Sequence, residues 1–113
     1  MAVTSNEELA QGWMRAIQDV DLFYELCTAD CRVWHSSDDK WMTLKEAIDA
    51  VHSRGGLPPF RNPRYTLTEN GFFAQMSTTL DGTNVHLVQI ATVKDGKVVQ
   101  AEEYIGPEMD IAV

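Results

Sequence analysis

NVHLVQIATVKDGKVVQAEEYIGP, residues 84–107, is the stretch that decides how this chain folds. Val85 to Val93 is dense in β-branched and apolar residues, Asp95-Gly96 marks a tight reversal, and Val98 to Ile105 repeats the extended pattern until Pro107 stops it. The spacing predicts two paired strands. Val85, Leu87 and Ala91 fall on one face of the first arm, and Val88 and Ile90 on the other. Neither face can be left in water, so something packs on each side.

Register decides which polar residues share a face, because a slip of one residue turns every side chain to the opposite side. Two turns compete. A two-residue turn at Asp95-Gly96 pairs Lys94 with Lys97 and sets Glu103 opposite Val88. A three-residue loop with Gly96 in the left-handed region pairs Val93 with Lys97 and sets Glu103 opposite Leu87, beside Gln89. The second is favoured, since it avoids two lysines face to face and gathers a carboxylate and an amide on one largely apolar face.

The chain has 113 residues, enough for one domain with a real core and too few for two. With 44% hydrophobic residues and no long polar run, the composition is that of a globular protein. No apolar run approaches the roughly 18 residues of a membrane span. MAVTSNEELAQ lacks the basic-then-apolar order of a secretory signal, so a cytoplasmic location is expected. Seventeen acidic against nine basic residues, a formal charge of −8, repel phosphate backbones and anionic lipids, which argues against nucleic-acid and membrane partners. Cys27 and Cys31 have no second cysteine pair, and His35, His52 and His86 are scattered without ligand spacing. The thiols read as free core residues, and no metal or cofactor is expected.

From the N-terminus, Ser5-Asn6-Glu7-Glu8 is a capping box ahead of Leu9, Trp13, Ala16, Ile17 and Val20 at helical spacing, which predicts a first helix over about residues 6–18. Leu22, Phe23, Leu26 and Cys27 suggest a short second helix ending near Ala29. A strand follows over Cys31 to Ser36, with Cys31, Val33 and His35 on one face and Arg32, Trp34 and Ser36 on the other. Asp38-Asp39-Lys40 turns the chain. Thr43-Leu44-Lys45-Glu46 is a second capping box, and the stripe Leu44, Ala47, Ile48, Val51 predicts a third helix that stops at Gly55-Gly56 and Pro58-Pro59. Arg64 to Glu69 and Phe72 to Leu80 flank Asn70-Gly71, and Asp81-Gly82 leads into the opening stretch. Three helices precede a four-stranded antiparallel meander.

That order of elements resembles the nuclear transport factor 2-like superfamily, whose relatives include SnoaL-like polyketide cyclases, ketosteroid isomerase and limonene epoxide hydrolase. Trp13 to Leu22, ADCRVWHSS at Ala29 to Ser37, and DGKVVQAEEYIG in the final hairpin carry the resemblance over nearly the whole chain. It implies an α+β fold over residues 1–113, three N-terminal helices packed in a curved antiparallel sheet that forms a cone-shaped barrel around a deep apolar pocket. It further implies a homodimer through the outer sheet face, here Val88 and Ile90 with His86 and Tyr104.

Carried across residue by residue, the isomerase's helix-one tyrosine falls on Trp13. Its general-base aspartate falls on Ser36 when the strand is aligned without a gap. A shift of one brings His35 to that position, restoring a base but turning Trp34 away from the pocket. The epoxide hydrolase's strand-one tyrosine and asparagine fall on Trp34 and Ser36, its arginine and first aspartate on Ser77 and Thr79, and its last-strand aspartate on Glu103. Two of its three central charges are absent.

The concave sheet face is expected to carry Phe73, Gln75, Ser77, Val85, Leu87, Gln89, Ala101, Glu103 and Ile105, of which only Glu103 is acidic. A carboxyl group set in apolar surroundings can give up or take on a proton, and Glu103, oriented by Gln89 and Gln75, is the leading catalytic residue, with His35 next. Trp13, Trp34, Phe73 and Leu87 form the expected apolar wall, with Ser36, Gln75 and Gln89 as polar ligand contacts. The leading reading is an enzyme that moves protons on a small apolar molecule: isomerisation, cyclisation, dehydration or epoxide opening. The rival reading is a non-catalytic ligand-binding or dimerisation module.

Overall fold

The computed structural model describes residues 4–110 as an α+β fold, with helices against one face of a six-stranded sheet. The first helix, α1 (Asn6–Ala16), begins at Ser5, whose hydroxyl accepts from the Glu8 amide while the Glu8 carboxylate accepts from the Ser5 amide. Leu9, Ala10, Trp13 and Ala16 form its buried stripe. The helix stops two residues short of its expected end. A single 3₁₀ turn, Val20–Leu22, leads into α2 (Phe23–Leu26), and extended backbone starts at Cys27, earlier than the periodicity suggests, because Cys27 pairs with Val98. Thr43 and Glu46 form the capping box of α3 (Leu44–Ser53), which buries Leu44, Ile48 and Val51. Each such cap is worth about 0.5–2 kcal/mol.

The strands are β1 (Cys27–His35), β2 (Lys40–Thr43), β3 (Arg61–Thr68), β4 (Gly71–Leu80), β5 (Thr83–Lys94) and β6 (Lys97–Pro107). Their order across the sheet is β2-β1-β6-β5-β4-β3. The meander β3 to β6 is antiparallel as expected, while β1 joins β6 in parallel, so the sheet is mixed. It does not close into a barrel: β2 and β3 are its two edges. The four-residue β2 lies where the sequence reading has only a turn and a helix cap.

The hairpins around β5 use the same turn. Asp81 and Gly82 have φ of 48° and 80°, and Asp95 and Gly96 have 52° and 76°. Both are two-residue turns with positive φ at each central position, for which Asp-Gly is suited. Lys94 therefore does face Lys97, and the three-residue loop is not formed. In the β5–β6 pair, however, Val93 faces Val98 while Thr92 faces Gln100, so Val99 is an extra residue on β6. This bulge turns the rest of β6 over. Glu103 consequently lies opposite Gln89, on the face shared with Leu87, and not opposite Leu87 or Val88. No bulge interrupts the β4–β5 pair, where Leu80 faces Thr83 and Ala74 faces Gln89. Its inner residues are Phe72, Ala74, Met76 and Thr78, and each is at most 2% exposed.

The core lies between this inner face and the helices, centred on Phe72, Leu9, Val98 and Cys31. Trp13 packs edge-on against Phe72 and Phe23, with ring centroids 5.5 and 4.6 Å away. Cys27 and Cys31 are free thiols buried in this core. Their mutual hydrogen bond, with burial second, pushes the Cys27 thiol well above its ordinary value, and the same bond lowers Cys31. Gly71 admits no side chain, because a Cβ there would run into the Ala91 carbonyl oxygen. None of the described helices is long and apolar enough to cross a membrane.

Candidate functional site

The first helix packs on the β3–β4 side of the sheet, α2 on β1, and α3 on β1 and β2, so the inner face of β5 and β6 is left as the floor of a cavity of about 470 Å³. Its walls are Trp13 of α1 and Ile17 at its C-terminal cap, Phe23 of α2, Leu44, Ile48 and Val51 of α3, and Phe60 from the loop after α3. That loop is anchored by a hydrogen bond of 2.9 Å from the Thr78 hydroxyl to the Pro59 carbonyl. Exposed Ser37, Asp38 and Arg54 mark the opening. The size lies within the roughly 300–1,000 Å³ of small-molecule sites.

Four side chains run across the floor in a connected row. The Trp13 indole N–H donates to Gln89 Oε1 at 2.7 Å, and the Gln89 amide Nε2 donates to Glu103 Oε1 at 2.8 Å. The other carboxylate oxygen, Oε2, lies 3.6 Å from His35 Nε2. That separation exceeds a hydrogen bond and falls within ion-pair range. The His35 and Glu103 side chains are 25% and 21% exposed, shielded from bulk water yet open to the cavity. Local strand geometry sets the row. Val33 and His35 of β1 lie opposite Ala101 and Glu103 of β6, and the Val99 bulge holds Glu103 on that face.

Five of the residues singled out in the sequence thus converge: Trp13, His35, Leu87, Gln89 and Glu103 all line the cavity. Four do not. Trp34 points to the outer face, its ring tilted against that of Tyr104 with centroids 5.1 Å apart and its indole N–H donating to Asp39. Alternation along β1 forces this once His35 faces inward. Ser36 lies past the strand end, where its hydroxyl accepts from the Ile105 amide at 3.0 Å, so it fastens β1 to β6. Phe73 and Gln75 face outward opposite Ile90 and Val88, because the unbulged two-residue turn puts the even-numbered residues of β4 inside. Gln75 therefore cannot orient Glu103, and Ser77 and Thr79 share its outward face. Phe23, Met42, Arg54, Phe60 and Thr78 line the cavity without having been singled out. Met42 belongs to the unforeseen β2; for Arg54 and Phe60 the sequence holds only a loop signature. Among the described residues, no three His, Cys, Asp or Glu side chains converge as metal ligands.

This architecture, helices over one face of an open mixed sheet with the cavity between them, is the nuclear transport factor 2-like fold. Among solved structures, the chain is similar to an NTF2-like protein of unknown function from Burkholderia xenovorans LB400, at 17% identity and a TM-score of 0.81, over 95% of this chain and 87% of that one. It is also similar to a candidate ketosteroid isomerase from Kribbella flavida DSM 17836, at 13% identity and a TM-score of 0.75, covering 96% and 82% of the two chains. A candidate SnoaL-like polyketide cyclase from Jannaschia sp. CCS1 superposes at 18% identity with a TM-score of 0.66, over 86% and 84%. No protein-family model and no curated protein matches the sequence.

Proposed function

We propose that this protein is an enzyme that moves a proton on a small, largely apolar molecule held in the cavity, with His35 and Glu103 as the acid–base pair. The observation that carries this reading is their juxtaposition at 3.6 Å on the floor of a largely apolar cavity. An imidazole beside a carboxylate is a common arrangement for general acid–base catalysis, and such a pair contributes about 10²–10⁴-fold. Isomerisation, cyclisation, dehydration and epoxide opening all need a proton removed, delivered, or both. The isomerase and cyclase descriptions of two similar structures lend support to the first two.

The test is a substrate that reports proton abstraction directly. 5-Nitrobenzisoxazole opens when a base removes its C3 proton, and the released electrons break the N–O bond to leave a coloured phenolate. The wild-type protein is expected to turn it over, and His35→Ala to lose at least about 100-fold. Tight binding of apolar probes, seen as a change in tryptophan fluorescence, with no turnover by the wild type would favour a non-catalytic binding module instead.

We further propose that the outer sheet face pairs with a second copy of the chain. Ile90 and Tyr104 are 40% and 44% exposed there, contiguous with Val88, Phe73 and Trp34. An apolar strip of this kind is ordinarily covered.

A further inference from the structure

The row Trp13–Gln89–Glu103–His35 has a direction, and that direction assigns different roles to its two ionisable members. An indole N–H can only donate, so the atom of Gln89 that meets Trp13 at 2.7 Å must be the amide oxygen. The amide nitrogen is thereby turned toward Glu103, at 2.8 Å from Oε1. Normally the two ends of a glutamine amide are assigned by judgement; here the indole forces the choice. An amide nitrogen also only donates, so Oε1 is an acceptor and Oε2 is the single oxygen left to face His35 Nε2. With a ring N–H on Nε2, both carboxylate oxygens meet a donor and no acceptor faces an acceptor.

Resting on the acid–base reading above, we propose that Gln89 and Trp13 are positioning residues that hold Glu103 as the orienting carboxylate and His35 in its Nε2–H tautomer. His35 Nδ1 is then the atom that exchanges a proton with the bound molecule. Nε2 is the nitrogen turned to Glu103, and His35 lines the cavity. In the proton step, the C–H bond of the bound molecule breaks, its electron pair stays on the molecule, and the proton forms the Nδ1–H bond. The resulting imidazolium faces the Glu103 carboxylate, which offsets its charge. The imidazolium then returns the proton to another atom of the molecule or to water. Closing the 3.6 Å gap to a hydrogen bond needs a movement of about 0.6 Å, and such pairs commonly tighten when a ligand fills the site.

Fixing the tautomer through the nitrogen that does not react is the part a second residue plays for a working histidine. Here the device is extended by two more side chains, one from β5 and one from α1, so the state of His35 is tied to the seating of a helix. Loss of either link frees the carboxylate to rotate without removing it.

The experiment is long-range ¹H–¹⁵N NMR of the histidine side chains at alkaline pH, on the wild type, Gln89→Leu and Trp13→Phe, with kcat and KM for 5-nitrobenzisoxazole measured on the same samples. The wild type is expected to show His35 as the Nε2–H tautomer. Both variants are expected to show a mixture of tautomers, with kcat reduced at least about tenfold and KM within about twofold. An Nδ1–H tautomer in the wild type overturns the inference, even if neither variant folds. So does a tautomer that stays the same in folded variants. The expected tautomers with no turnover by the wild type would leave the positioning intact and remove the acid–base function instead. Turnover with unshifted tautomers would do the reverse.

Discussion

The two hairpins that share β5 are built on the same Asp-Gly turn and end in opposite ways. In β4–β5 the register set at Asp81-Gly82 persists along the strands, and Phe72, Ala74 and Met76 stay inside from one end to the other. In β5–β6 the register set at Asp95-Gly96 lasts only to Val98 and is then moved by Val99. Val98 and Glu103 both face the core side although they are an odd number of residues apart, which is impossible in a regular strand. One extra residue thus lets a buried valine near the turn coexist with a carboxylate on the cavity floor. The face of a site residue is decided by the strand between it and the turn as well as by the turn.

Removing Val98 and Val99 together breaks this comparison most severely. With Lys97 still facing Lys94, Gln100 would then face Val93, so Ala101, Glu103 and Ile105 turn outward while Gln100, Glu102 and Tyr104 turn into the core. Burying those polar groups is expected to cost more than about 4 kcal/mol, enough to abolish a cooperative thermal transition by circular dichroism. Removing Val99 alone makes β5–β6 regular but keeps Gln100 opposite Thr92 and Glu103 opposite Gln89, so it is expected to leave a cooperative transition in place. A double deletion that melts within a few degrees of wild type would show that the residue count between turn and site does not set the face.

The adjacent phenylalanines of β4 sharpen the same point at smaller scale. Phe72→Ala, in the fully buried position, is expected to lose about 3–5 kcal/mol in denaturant unfolding, and Phe73→Ala less than about half of that. Equal losses would mean that the outer face is as tightly packed as the inner one in the protein as measured. That outcome bears on Val88 as well. Val88→Asp is expected to convert a dimer into a monomer in sedimentation velocity, with little change in intrinsic unfolding. A wild type that is already monomeric at micromolar concentration contradicts the proposed pairing.

The smallest effect lies away from both hairpins, at the start of α3. The Thr43 backbone amide, and then the Thr43 hydroxyl, hold the Glu46 carboxyl below its ordinary value of 4.5. A group whose folded value is lowered stabilises the fold above the unfolded value and loses that contribution as pH falls through the folded one. The difference in melting temperature between wild type and Glu46→Gln should therefore be present above about pH 4.5 and vanish as the pH drops below it. A difference that persists in acid would assign the stabilisation to something other than the charged cap.

Much of this was legible in the sequence, and the failures have particular causes. Both capping boxes, the four-strand meander and the inward set Val85, Leu87, Gln89 and Ala91 follow from local chemistry. The alternation Cys31, Val33, His35 against Arg32, Trp34 assigned β1 correctly, and Cys31 is indeed fully buried. It was the gapless alignment to remote relatives that put Trp34 and Ser36 in the pocket. Phe73 and Gln75 were misplaced although Phe72, Ala74 and Met76 form the more apolar set, which burial alone would have chosen. Glu103 was placed on the correct face through the wrong turn, because the three-residue loop and the two-residue turn with a bulge both shift the strand to the same side. No local signal marks Val99, one of two successive valines in an extended run. The edge strand β2 escaped because its four residues lie between a turn signal and a helix cap.

Glu102 and Glu103 provide the most direct test, being neighbours that alternation sends to opposite faces and of which the bulge selects Glu103 for the inner one. The Glu102 side chain is held outside, accepting from Gln100 and from the Tyr104 hydroxyl, while Glu103 faces His35. The measurement is turnover of 5-nitrobenzisoxazole by Glu102→Gln and Glu103→Gln side by side with wild type. A loss of at least about 100-fold in Glu103→Gln, with Glu102→Gln within about twofold of wild type, is the predicted result. Equal losses in the two variants, or the larger loss in Glu102→Gln, would contradict the account.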